Sequence, residues 1–175
     1  VTKVQRPIIH GRDHEHGGAD PIRIVWESVG SGGGAFPWGY YTFTRSFTST
    51  DLGILRYLSW TFGGGDPLLS LADPTLPVVV DAGVYTYLMT VGPTTAPGST
   101  GHAYMELVAM GSSGFAFGWT GHSWQLTEAS INSIQGDATF VTHQNAGDLC
   151  RVNVNHVAGT TPITYSGHCV VQKLG

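Results

Sequence analysis

The chain is 175 residues long, 41% hydrophobic and only 11% charged, with 25 glycines and 9 prolines, a length that supports one sizeable core and is short for two. Its eight Lys and Arg are scattered and its formal net charge is -4, which argues against a phosphate-binding face of the kind nucleic acid demands. The apolar runs, such as residues 76–80 and 104–110, fall far below the ~20 residues of a membrane span, so no membrane insertion is expected.

The opening Val-Thr-Lys-Val-Gln-Arg is followed by no apolar stretch, so no secretory signal is expected in the chain as given. Residues 10–22 then hold three of the eight histidines, three carboxylates, one arginine and three glycines. Such polarity rules the stretch out of a core. His14 and His16 form a His-x-His pair whose rings share one side of an extended chain, so both can reach one ion. One chain supplies too few ligands for a closed site unless His10, Asp13, Asp20 or symmetry copies join, and no resident metal or cofactor is expected. A catalytic reading fails for want of a nucleophile, because the stretch contains no Ser, Thr or Cys. What remains is a docking arm: glycines that permit close backbone approach, carboxylates that accept hydrogen bonds, and an Asp-Pro step that fixes an extended entry. Its candidate docking residues are His10, Arg12, Asp13, His14, Gly17, Gly18, Asp20, Pro21 and Ile22.

Residues 22–29 alternate loosely and suit a first strand, after which Ser31-Gly-Gly-Gly34 forms a hinge. The domain division expected is therefore an arm, first strand and hinge over 1–34 and a β-body over 35–175. In the body, residues 40–48 place Tyr41, Phe43, Arg45 and Phe47 on one parity and Thr or Ser on the other, a half-buried strand. Strands are expected at 54–62, 76–80 and 84–91, with breaks at Gly63-Gly-Gly-Asp-Pro67 and residues 92–101. Further strands fit 102–110, 115–124, 137–143, 149–156 and 163–173. Only residues 125–134 offer a helical turn. About ten short strands without helices imply an all-β sandwich or barrel, with a Greek-key jelly roll matching the count.

Nothing in the body spells catalysis. No Gly-x-Ser-x-Gly stands between a strand and a helix, Gly111-Ser-Ser-Gly114 reads as a turn, and the remaining histidines are dispersed. The protein is not expected to be an enzyme. Trp119, His122 and Trp124 flank Gly121 in an apparent loop and form a candidate glycan platform, since aromatic faces stack on sugar rings. Cys150 and Cys169 match no zinc or disulfide framework and are expected as buried free thiols.

Two resemblances sharpen these expectations. The segment Gly11-Arg-Asp-His14 with Gly17-Gly-Ala-Asp-Pro-Ile22 resembles a stretch near the N-terminus of structural proteins, mostly minor tail proteins, of bacteriophages that infect actinobacteria and other Gram-positive hosts. It implies a virion component made in the host bacterial cytoplasm. Val1 fits a GTG start codon translated literally, from which a complete chain is expected. The order Asp81-Ala-Gly-Val-Tyr85, Ala146-Gly-Asp148 before Cys150-Arg-Val152, and Tyr165-Ser-Gly167 resembles that of the C1q and tumour-necrosis-factor jelly rolls over the last 110 or so residues. Those folds are usually compact trimers, so the resemblance implies a homotrimer with Tyr85, Tyr87 and Met89 in the core and Val84, Thr86 and Leu88 toward the threefold axis. It places the two cysteines on opposing sheets. No receptor-binding loop is shared, and no cytokine or complement function follows.

The combined expectation is a C1q/TNF-like jelly-roll β-sandwich with an extended N-terminal arm: a trimeric minor tail or tail-tip protein, docked on neighbouring virion proteins by that arm. A carbohydrate-recognising receptor-binding tail protein, meeting a host surface glycan, and a trimeric capsid decoration protein are the alternatives.

Overall fold

Alternation decides how β1 (Trp38–Phe47) sits: Tyr41, Phe43 and Phe47 are buried, while Thr42, Thr44 and Ser46 point to the opposite face. The computed structural model describes residues 36–51, 56–96, 100–127, 136–157 and 160–175. The docking residues His10, Arg12, Asp13, His14, Gly17, Gly18, Asp20, Pro21 and Ile22 and the strand expected at 22–29 lie outside the described residues. After β1 come β2 (Ser59–Gly65), β3 (Leu69–Ser70), β4 (Val78–Val79), β5 (Gly83–Pro93) and β6 (Gly101–Met110). β7 (Ala116–Leu126), β8 (Gly136–Gln144), β9 (Leu149–Val157) and β10 (Ile163–Lys173) complete the body. No described residue is α-helical.

The strands form two five-stranded antiparallel sheets, β2-β1-β10-β5-β8 and β3-β4-β9-β6-β7. The chain changes sheet after β2, β4, β5, β7, β8 and β9, the crossing pattern of a Greek-key jelly roll. The inner face of the first sheet is aromatic, with Tyr41, Phe43, Phe47, Trp60, Tyr85, Tyr87 and Tyr165; that of the second is mostly smaller, with Ala103, Met105, Leu107, Val152 and Val154. Bulk against slimness fills the space between the sheets, and each such side chain contributes roughly 1.5–3 kcal/mol on burial. Tyr41 also ties the sheets by hydrogen bonding, because its hydroxyl accepts the Leu69 backbone N–H at 2.9 Å. Burial pushes that phenol up to about 12. Gly167 makes room in the same layer: a Cβ there would lie 2.0 Å from Thr90 O and 2.7 Å from the Phe43 ring.

Three sequence expectations are corrected. Gly63-Gly-Gly does not break the chain but continues β2, with Gly64 and Gly65 opposite Tyr40 and Gly39 and Gly63 unpaired at a β-bulge. Gly65 has φ 88°, a conformation that disfavours any side chain, and a Cβ there would meet Trp38 O at 2.5 Å. Gln125 and Leu126 are strand rather than helical turn, since β7 runs through Leu126. Trp119, His122 and Trp124 lie within that same strand, not in a loop. Strand β3, absent from the sequence reading, completes the second sheet's edge by pairing Leu69 with Val79. Cys150 on β9 and Cys169 on β10 are free, fully buried and on opposite sheets, and burial raises the Cys150 thiol to about 12.

Candidate assembly surface

The strand order of the first sheet assembles its outer face from distant parts of the sequence. Hydrogen-bonded register aligns Trp38, Gln172, Thr86 and Val141 in one row, Tyr40, Val170, Leu88 and Thr139 in the next, and Thr42, His168, Thr90 and Asp137 in a third. Beyond them the face narrows to Thr44 beside Ser166 and Ser46 beside Thr164, two hydroxyl pairs at 2.9 and 2.6 Å. Within these rows Asp137, at the β8 edge, is the one residue with a formal charge. The first two rows are uncharged and hold open apolar side chains: Trp38 is 49% exposed, Leu88 48% and Val141 57%. In the third row the Thr90 hydroxyl lies 3.1 Å from His168 Nδ1, and the Tyr40 ring lies 5.8 Å from the imidazole.

On this surface Val84 and Thr86 are half-buried and Leu88 exposed, while Tyr85, Tyr87 and Met89 are core. Sequence reasoning did not add Trp38, Tyr40, Val141 and Val170, although Val141 shares the exposed parity of Thr139 and His143 on β8. The C-terminus adds a last stretch of pairing beside the apolar rows, with Val84 N–H donating to Gly175 O at 2.8 Å and Leu174 N–H to Val84 O at 2.7 Å.

The outer face of the second sheet is built differently. Arg56 donates to the Asp51 carbonyl, to Asn155 Oδ1 and to Ser49 O, the last at 3.1 Å. Arg151 donates to the Tyr57 hydroxyl at 2.6 Å with its guanidinium carbon 4.6 Å from that ring's centre, and Asn153 donates to Glu106 at 3.2 Å. These groups bond within the monomer, though Arg151 Nε and Asn153 Oδ1 are buried without a partner among the described residues.

The foreseen glycan platform does not form as a set. Trp124 is 8% exposed and packs edge-on against Tyr165 at 6.5 Å, so its indole belongs to the core and offers no open face. His122 lies on the sandwich flank, 3.9 Å from Asp137 of the other sheet. Among the described residues no cluster of three or more His, Cys, Asp or Glu is placed to hold a metal ion, and no helix is long and apolar enough to cross a membrane.

No protein-family model and no curated protein matches the sequence. Solved structures do resemble the fold. The globular domain of zebrafish complement 1qA protein aligns with a TM-score of 0.53 at 10% identity, covering 81% of this chain and 98% of that one. The Eiger TNF of S. frugiperda aligns with a TM-score of 0.45 at 14% identity (79% and 94% covered), and murine APRIL with 0.46 at 15% (78% and 99%). At this identity the likeness is one of fold: the body is an all-β, C1q/TNF-like jelly roll.

Proposed function

We propose that this chain is a non-enzymatic structural component of a bacteriophage virion, a minor tail or tail-tip protein whose jelly-roll body trimerises and whose N-terminal segment docks on a neighbouring virion protein. One observation carries the assembly half of this reading: the outer face of the first sheet opens Trp38, Leu88 and Val141 to solvent on rows with no charge. Apolar surface of this kind on a folded body marks a protein interface. A threefold arrangement is what resemblance to C1q and tumour-necrosis-factor jelly rolls implies, with Val84, Thr86 and Leu88 toward the axis. The docking half rests on residues 10–22, where Asp13 and Asp20 accept backbone N–H or Arg donors and Gly17 and Gly18 allow close approach.

Light scattering of the full chain tests the first half: a threefold mass is expected, and a monomer at tens of micromolar overturns it. Deletion of residues 1–22 tests the second. The body is expected to stay folded and to be lost from particles; incorporation at the normal level overturns the docking role. Should a chelator, or replacing His14 and His16 by alanine, block incorporation as fully as the deletion, the segment is a metal latch instead.

A further inference from the structure

At the end of the sandwich where β1 finishes and β10 begins, three rings bridge the two sheets. His156, on β9 of the second sheet, stacks on Phe47 of β1 with centroids 5.1 Å apart and planes 25° from parallel. It also lies 5.6 Å from the ring of Tyr165 on β10. Phe47 and Tyr165, both of the first sheet, stack on each other at 5.2 Å. The imidazole is 3% exposed, and neither Nδ1 nor Nε2 has a hydrogen-bond partner among the described residues. A buried ring without partners for its nitrogens is accommodated far better neutral than charged.

No described neighbour compensates a positive charge there strongly. β1 brings the uncharged Phe47, and β6 pairs Ala103 with His156. β10 brings Tyr165, whose phenol is pushed far up by burial and stays neutral. The connection after β1 brings the Arg56 guanidinium, which repels a second cation, and Asp51, which opposes it. Burial first and Arg56 second hold His156 below its ordinary value, with Asp51 the smaller counterweight.

We propose that the Phe47–His156–Tyr165 stack is an acid-sensitive clasp, which joins the two sheets through a neutral imidazole and releases that end of the sandwich when the imidazole takes up a proton. Above the unfolded-state value of about 6.5 both states are neutral and the clasp's stability is complete. Below it the unfolded chain takes the proton first, so stability falls as pH drops toward the lower folded-state value. Across that window the unfolding constant rises by up to about tenfold per pH unit from this one group. The pieces freed are the end of β1, the start of β10 and the end of β9.

The test is thermal unfolding of the full chain at fixed concentration, from about pH 7.5 to about pH 5, for the wild type and for His156→Phe, which keeps an aromatic ring and removes the titration. The wild-type melting temperature is expected to fall across the window more steeply than that of the variant. Equal slopes overturn the proposal. Should His156→Phe fail to fold, histidine NMR with amide exchange on the wild type decides. The His156 ring is expected to resist protonation until amides near Val154 and Tyr165 lose protection; a ring that titrates near 6.5 with protection unchanged overturns the clasp.

Discussion

The two outer faces of this sandwich solve the same problem in opposite ways. Both are β-sheet surfaces pointing away from the core. On the second sheet Arg56, Arg151, Glu106, Asn153 and Asn155 engage donors and acceptors of their own chain, and its exposed apolar side chains, Phe117 and Val157, lie on separate strands, β7 and β9. Among the described residues the rows around Leu88 and Val141 on the first sheet carry no such network, and both side chains stand exposed. Side chains that engage partners of their own chain need no neighbour, whereas apolar side chains left open on an uncharged sheet face suit one.

The largest test of this contrast is a charge on the open face. Leu88→Arg places a cation in the central apolar row; in an assembled interface, desolvating it costs several kcal/mol per copy, so association should weaken by at least about 100-fold. If the proposed trimer forms through this face, sedimentation should show monomer while circular dichroism stays unchanged; a mass equal to that of the wild type would mean that this face is not the interface. The matched face should answer in the reverse sense. Arg56→Ala removes the hydrogen bonds that tie Ser49, Asp51 and Asn155 of β9 to one guanidinium and should cost about 1–3 kcal/mol in monomer stability, read as a lower urea midpoint with oligomeric mass preserved. Asn153→Ala, which cuts one partly buried bond to Glu106, should cost only about 0.5–1.5 kcal/mol by the same measure. Smallest should be the pair Thr44→Val with Ser166→Ala, which removes both partners of one hydroxyl pair. Losing both at once is close to neutral for folding, and because the polar row of Thr42, His168 and Thr90 separates this pair from Leu88 and Val141, association should stay unchanged.

Much of the architecture was legible because strand alternation survives in single segments. Tyr85, Tyr87 and Met89 announce one face of β5 within five residues, and the same parity puts Leu88 outside. What was not legible depends on neighbours far away in sequence. Trp38 and Val141 share a row only because β10 and β5 lie between β1 and β8, and no local pattern carries that order. Gly63-Gly-Gly misled because three glycines look like a break, yet a bulge against Tyr40 and Tyr41 uses them inside a strand. Trp124 misled because Gly121, His122 and Ser123 disguise an inward series that Trp124 and Leu126 continue. His156 offered no sequence signal at all, since its isolation is set by Phe47 and Tyr165, each from another strand.

The start of β1 and the end of β10 lie side by side, with Lys173 N–H donating to Pro37 O at 2.9 Å and the strands antiparallel along their whole register. That arrangement has a mechanical meaning. A pull applied between Phe36 and Gly175 opens the β1–β10 ladder from one end and breaks its bonds in succession, as a zipper is undone, so low force should suffice. A pull between Gly175 and Thr94, at opposite ends of the paired β10 and β5, slides one strand along the other and strains many bonds together. Single-molecule stretching should find the second geometry several times more resistant. Tension entering through the N-terminal segment and leaving through the C-terminus would therefore peel this body apart, whereas tension spread across its sheet would not.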